Sequence, residues 1–152
     1  MKYKFLLLTL CSFVILSACG GSGTTETQTS ETTQIEVSDV VFAKSLGENM
    51  EPVDPTDTFY PNEPVNVSVV INGRPKSGVV TGNFYYGDQF IAGTSVDLGD
   101  TNSGVIFSIG QDTYVGFTLS HDTDFPVSDQ YFIEVLINDQ KLGDYRFAVV
   151  EP

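Results

Sequence analysis

The 152-residue chain has no tryptophan, one histidine, two cysteines, and seven lysines and arginines against twenty acidic residues. Each shortage removes a class of function. Nucleic-acid binding needs a basic footprint, and there is none. A tetrahedral zinc shell needs about four nitrogen, sulfur or carboxylate ligands, and one His with one or two Cys is a poor start. The chain contains no G-x-S-x-G nucleophile elbow. Its one phosphate-loop-like glycine pattern, "GDTNSG", lacks the strand-to-helix setting that would give it meaning. Long apolar runs are also missing. The N-terminal stretch from Phe5 to Ala18 is 14 residues, whereas a membrane-spanning helix needs roughly 20.

What the N-terminus does contain is ordered. "MKYK" supplies two lysines, "FLLLTLCSFVIL" is apolar but for Thr9 and Ser12, and small residues follow. That is the order of a secretory signal, which places residues 1–18 outside the mature fold. Cys11 would be discarded with the signal, leaving Cys19 as the only cysteine of the exported part. A single cysteine there has no intrachain disulfide partner.

The tetrapeptide "LSAC" (Leu16–Cys19) resembles the lipobox of bacterial lipoproteins. The resemblance implies cleavage between Ala18 and Cys19 and a diacylglyceryl group on the Cys19 thiol. Acylation of the new amino group, for example by palmitate, would follow. Several chains make such an anchor stable, because each buried methylene contributes about 0.8 kcal/mol. Gly20 stands where that family's inner-membrane retention signal places Asp, so in a two-membrane cell the resemblance implies the outer membrane. The alternatives are an ordinary secreted chain and an uncleaved anchor.

Without residues 1–18 the chain has five basic residues (Lys44, Arg74, Lys76, Lys141, Arg146) and all twenty acids, a formal charge of −15. Anionic headgroups repel such a surface, so membrane association is expected from the lipid alone. Residues 19–34, beginning with the lipidated Cys and continuing "GGSGTTETQTSETTQ", contain nothing that could build a core and predict a flexible linker. Its root-mean-square span would be roughly 20 Å.

From residue 35 to 152 the texture changes to period-two alternation, the mark of half-buried strands. Val65, Val67, Val69 and Ile71 share one face of "VNVSVVIN"; Tyr131, Ile133, Val135 and Ile137 share one face of "YFIEVLIN". "YRFAV" turns Tyr145, Phe147 and Val149 inward. "VGFTL" aligns Val115, Phe117 and Leu119, and "VIFSI" aligns Val105, Phe107 and Ile109. Further strands are expected in "IEVSDVVFA", "VVTGNFYY" and "QFIAGTSVDL". Turn residues separate them, and Asn138-Asp139 suits a tight hairpin because both tolerate positive φ. Seven to nine short strands with no room for parallel crossovers predict an all-β, antiparallel β-sandwich.

The segment "SDQYFIEV" resembles the tyrosine corner of immunoglobulin-like domains, with Tyr131 as the corner residue. The resemblance covers roughly residues 35–150. It implies that the Tyr131 hydroxyl bonds back to the backbone. Ile133 stands where antibody domains have a cysteine, and Phe84 is the aromatic nearest the tryptophan position.

Three candidate sites emerge. "NFYYGDQF" offers Tyr85, Tyr86 and Phe90 as binding aromatics; alternation sends Phe84 and Tyr86 to one face and Tyr85 to the other. Asp122, Asp124 and Asp129 form an acidic loop that could supply oxygens to calcium, as could Asp54 and Asp57, though ordinary solvated turn aspartates have the same pattern. His121 in "SHDTDFP" could serve a Ser-His-Asp arrangement or simply sit in a solvated loop. The reading that follows is a lipid-anchored envelope protein, not an enzyme and without a cofactor, whose domain binds or scaffolds an envelope protein or glycan. A glycan-binding module and an envelope enzyme built on a carboxylate pair are the alternatives.

Overall fold

The computed structural model describes residues 34–100 and 102–152. The signal, the 18/19 cleavage point, Cys19 and all but the last residue of the linker lie outside the described residues.

Among the described residues ten strands form two sheets. They are β1 (Val37–Leu46), β2 (Pro52–Pro55), β3 (Thr58–Phe59), β4 (Val65–Asn72) and β5 (Val79–Tyr86), then β6 (Gln89–Asp97), β7 (Ile106–Ile109), β8 (Asp112–Leu119), β9 (Ser128–Ile137) and β10 (Gln140–Val149). The first sheet runs β2-β1-β4-β8-β7 and the second β3-β10-β9-β5-β6. This is the immunoglobulin strand order, with β1-β4-β8-β7 as the four-stranded sheet and β10-β9-β5-β6 as the facing sheet extended by one edge strand.

The ten strands exceed the expected seven to nine, and β2 and β3 are the two that no alternating segment announced. Both lie in a proline-rich segment, where β2 is bounded by Pro52 and Pro55 and β3 has only two residues. One of them also corrects the antiparallel expectation, because β3 pairs in parallel with β10 through Ala148↔Thr58 and Val149↔Phe59. Parallel pairing needs a long connection, and here the whole intervening sandwich joins β3 to β10.

The inner faces follow the alternation. Val65, Val67, Val69, Ile71, Val80, Val115, Ile133 and Val135 are fully buried, with Phe84, Phe117, Phe147 and Leu119 packed among them. Phe107 and Ile109 depart from their predicted inward aim: the neighbours packed on the core are Val105 and Ile106, and Ile109 is exposed. Strand β7 is a four-residue edge, and a register one residue off reverses which side chains face in. Gly82 on β5 lets the sheets close, since a Cβ there would stand 3.1 Å from Ile133 Cδ1 and 3.2 Å from Phe117 Cδ1.

The tyrosine corner is present. Tyr131, almost fully buried at the start of β9, donates its hydroxyl to Pro126 O at 3.0 Å and stacks on Phe147 with centroids 5.2 Å apart. Burial, and then the nearby Tyr86, raise its pKa, which keeps the hydroxyl a donor. The Asn138-Asp139 hairpin has φ of 49° and 64°, the paired left-handed geometry of a type I′ turn.

The two ends of the sandwich differ. Gln34 and Ile35 lie beside the Asn138 hairpin, and Ile35 packs against Gly78. The chain therefore arrives at the end that holds the β4–β5 and β9–β10 turns. The β5–β6 turn and the β8–β9 segment sit at the opposite, distal end, about 25–30 Å away for strands of eight to ten residues.

Candidate functional site

Register places one transverse row of side chains on the outer face of the second sheet. Phe90 on β6 opposes Tyr85 on β5, Tyr85 opposes Phe132 on β9, and Phe132 opposes Arg146 on β10. Tyr85 and Phe132 stack with centroids 5.0 Å apart and planes 11° apart; Phe90 meets Tyr85 edge-on at 5.6 Å. The Arg146 guanidinium lies 5.9 Å from the Phe132 centroid. Phe90 is 55 % exposed, the most exposed large apolar side chain among the described residues. Such cross-strand aromatic pairs stabilise the sheet modestly while leaving ring area open to water.

Beside it runs a polar row. The Asn83 amide donates to Glu134 Oε2 at 3.5 Å, and Lys141 bridges Glu134 (3.1 Å) and Asp144 (2.8 Å). Hydrogen bonding to Asp144, then to Glu134, raises the Lys141 pKa.

Tyr86 goes the other way, as alternation requires. It packs on Tyr131 at 4.8 Å and lines a cleft of about 280 Å³ at the distal end, together with Gln89, His121, Asp124 and Phe125. The structure thus divides the three candidate aromatics. Tyr85 and Phe90 share the outer row, and Tyr86 floors the cleft. Phe132 and Arg146 were missed by sequence reasoning, although an aromatic at a polar position of an alternating strand was a usable signal.

His121 lies on an exposed loop. Its Nδ1 accepts the Thr123 backbone N–H at 3.1 Å and lies 2.8 Å from the Thr123 hydroxyl, so the neutral ring carries its proton on Nε2. The carboxylate that would orient a catalytic base is not at that nitrogen. The calcium candidates are dispersed. Asp124 borders the distal cleft and, with Asp122, an adjacent hollow, while Asp129 lies beside Arg146 and Asp57. Among the described residues no group of three or more His, Cys, Asp and Glu side chains is placed to hold a metal ion. Asp54 sits at φ 55° in β2, and Asp57 accepts the Thr58 hydroxyl at 3.2 Å.

The first sheet's outer face is covered at its centre. The Leu46–Glu51 turn folds over it: Met50 O accepts the Ser68 hydroxyl at 2.7 Å, and Met50 and Leu46 occupy the space a Cβ on Gly116 would need. Lys44 pins the adjoining segment, bonding Glu63 (2.6 Å) and Thr58 O (3.1 Å) with its ammonium 5.1 Å from the rings of Phe59 and Tyr60. The Lys44 hydrogen bond, helped by the Tyr60 N–H, lowers the Glu63 pKa.

The fold and its row of rings define an all-β sandwich of immunoglobulin strand order with an open aromatic face. No protein-family model matches the chain, and no curated protein matches it.

Proposed function

We propose that the chain is a lipid-anchored envelope protein whose sandwich domain acts as a non-catalytic binding or scaffolding module. The observation that carries the binding role is the Phe90–Tyr85–Phe132–Arg146 row. It is a partly exposed strip of three rings and a guanidinium on an otherwise acidic domain. Aromatic residues and arginine dominate the energetic centres of interfaces. The anchoring role rests on "LSAC", the signal that precedes it and the linker that follows.

A glycan is the alternative occupant, favoured by the stacked Tyr85 and Phe132 rings next to the Asn83 amide and Glu134 carboxylate.

The test is cross-linked affinity capture from intact cells with the native chain, Cys19→Ser and Phe90→Ala. A partner enriched with the native chain and lost from both variants supports the reading. A partner set that is identical for all three removes it.

A further inference from the structure

We infer that the distal cleft is a binding site for one neutral pyranose ring of a glycan. The inference builds on the reading of the domain as a tethered binding module, and it assigns a site distinct from the aromatic row.

The cleft has the two components that a sugar ring requires. Its floor is aromatic: the half-buried Tyr86 ring is open to a ligand, backed by buried Tyr131 at 4.8 Å, which buried Phe125 meets edge-on at 6.1 Å. A pyranose presents a face of axial C–H groups to such rings. Its rim is polar and planar: the Gln89 amide, the His121 imidazole and the Asp124 carboxylate, all solvent-exposed. An amide both donates and accepts. A carboxylate accepts from two adjacent hydroxyls, and the bonds it makes are the stronger, charge-assisted kind. His121 contributes a defined donor, because Nδ1 is committed to Thr123 and Nε2 holds the proton. Tyr131 is buried between Phe147 and Tyr86 and held by its bond to Pro126 O, and so fixes the Tyr86 ring from beneath.

Size and charge narrow the ligand. A volume of about 280 Å³ lies just under the range of drug-sized pockets, which suits one ring and not a folded partner. No lysine or arginine is among the lining residues, and Asp124 is, so phosphorylated sugars and uronic acids are disfavoured.

Position supplies the third argument. In antibody variable domains the binding loops include those joining the second and third strands and the last two. Here the equivalent β4–β5 and β9–β10 turns stand beside Gln34, where the linker arrives. The cleft occupies the other end, formed by the β5–β6 turn and the β8–β9 segment, and so faces away from the point of attachment.

The test is saturation-transfer-difference NMR on the full lipidated chain in detergent micelles. The probes are methyl β-D-glucopyranoside, methyl β-D-galactopyranoside and methyl N-acetyl-β-D-glucosaminide. A single ring should bind with Kd on the order of 1 mM. The expected result is transfer to the axial ring protons of at least one probe. Gln89→Ala and Asp124→Asn, both exposed and so compatible with folding, should each weaken it about fivefold or more. Leu142→Ser, near the opposite end, should leave it unchanged. Transfer abolished by Phe90→Ala but untouched by the two rim variants would overturn the cleft and assign the sugar to the aromatic row. No transfer to any probe would also overturn it. The partner capture described above does not depend on either outcome, so the two readings fail separately.

Discussion

The outer faces of the two sheets began from the same kind of sequence and ended differently. On the first sheet, alternation assigns Asn66 and Ser68 to solvent, yet both are buried: the Leu46–Glu51 turn lies on Ser68, and Asn66 is engaged by Lys44 O and the Thr118 hydroxyl. On the second, alternation assigns Tyr85 and Phe132 outward, and outward they stay, with Phe90 beside them. One face uses small side chains (Gly116, Ser68) to admit a cover. The other carries bulky rings, and Phe90 among them is left 55 % exposed. A sandwich needs only its inner faces for a core. The second sheet's outer face is therefore free to do something else.

The comparison can be broken in order of effect. Truncation between the sheets sets the scale: Phe117→Ala should cost about 3–5 kcal/mol in urea unfolding, as for other buried phenylalanines. Gly116→Val drives a side chain into Met50 and Leu46 and should cost about 1–3 kcal/mol by overpacking. Faster amide exchange in β4 and β8 would show the cover lifted. An unchanged midpoint would mean that the cover contributes nothing. Tyr131→Phe, which removes only the corner hydrogen bond, should cost about 1 kcal/mol.

Glu63→Gln should cost less than about 1 kcal/mol, because the pair with Lys44 is partly exposed on both sides. The sign with pH is definite. The folded carboxyl titrates below its ordinary value of 4.5, so its contribution is fully present above that value. It is lost as pH falls through the lower folded value, and the wild type and the variant should converge in acid melts. Smallest of all, Phe90→Ala should change stability by no more than about 0.5 kcal/mol while removing partner capture. If it cost as much as Gly116→Val, the open face would be structural and the contrast between the faces would collapse.

Much of this was legible in the chain. Eight of the ten strands announce themselves by alternation, and the Asn138-Asp139 hairpin and the Tyr131 corner by local chemistry that tertiary packing does not override. β2 and β3 were hidden because prolines and a two-residue length leave no period to detect. The burial of Ser68 was hidden because its cover comes from a turn 18 residues earlier, a contact without local signature. Tyr85 and Phe90 were legible as a pair, since a tight turn sets them opposite one another. Their union with Phe132 depended on strand order. The meeting of Tyr86, Gln89, His121 and Asp124 depended on which turns share an end, and period-two patterns do not encode that.

The antiparallel pairing of β1 with β4 has a mechanical consequence. The chain arrives at one end of β1, and the cleft and aromatic row lie toward the other end of the molecule. A pull between the linker and anything held distally runs parallel to the strands. The β1–β4 hydrogen bonds, registered from Val37↔Ile71 to Ala43↔Asn66, are then strained together in shear instead of opening one at a time. Loaded in that way many bonds must yield at once, so the sandwich resists a pull along its strands far better than one applied across them.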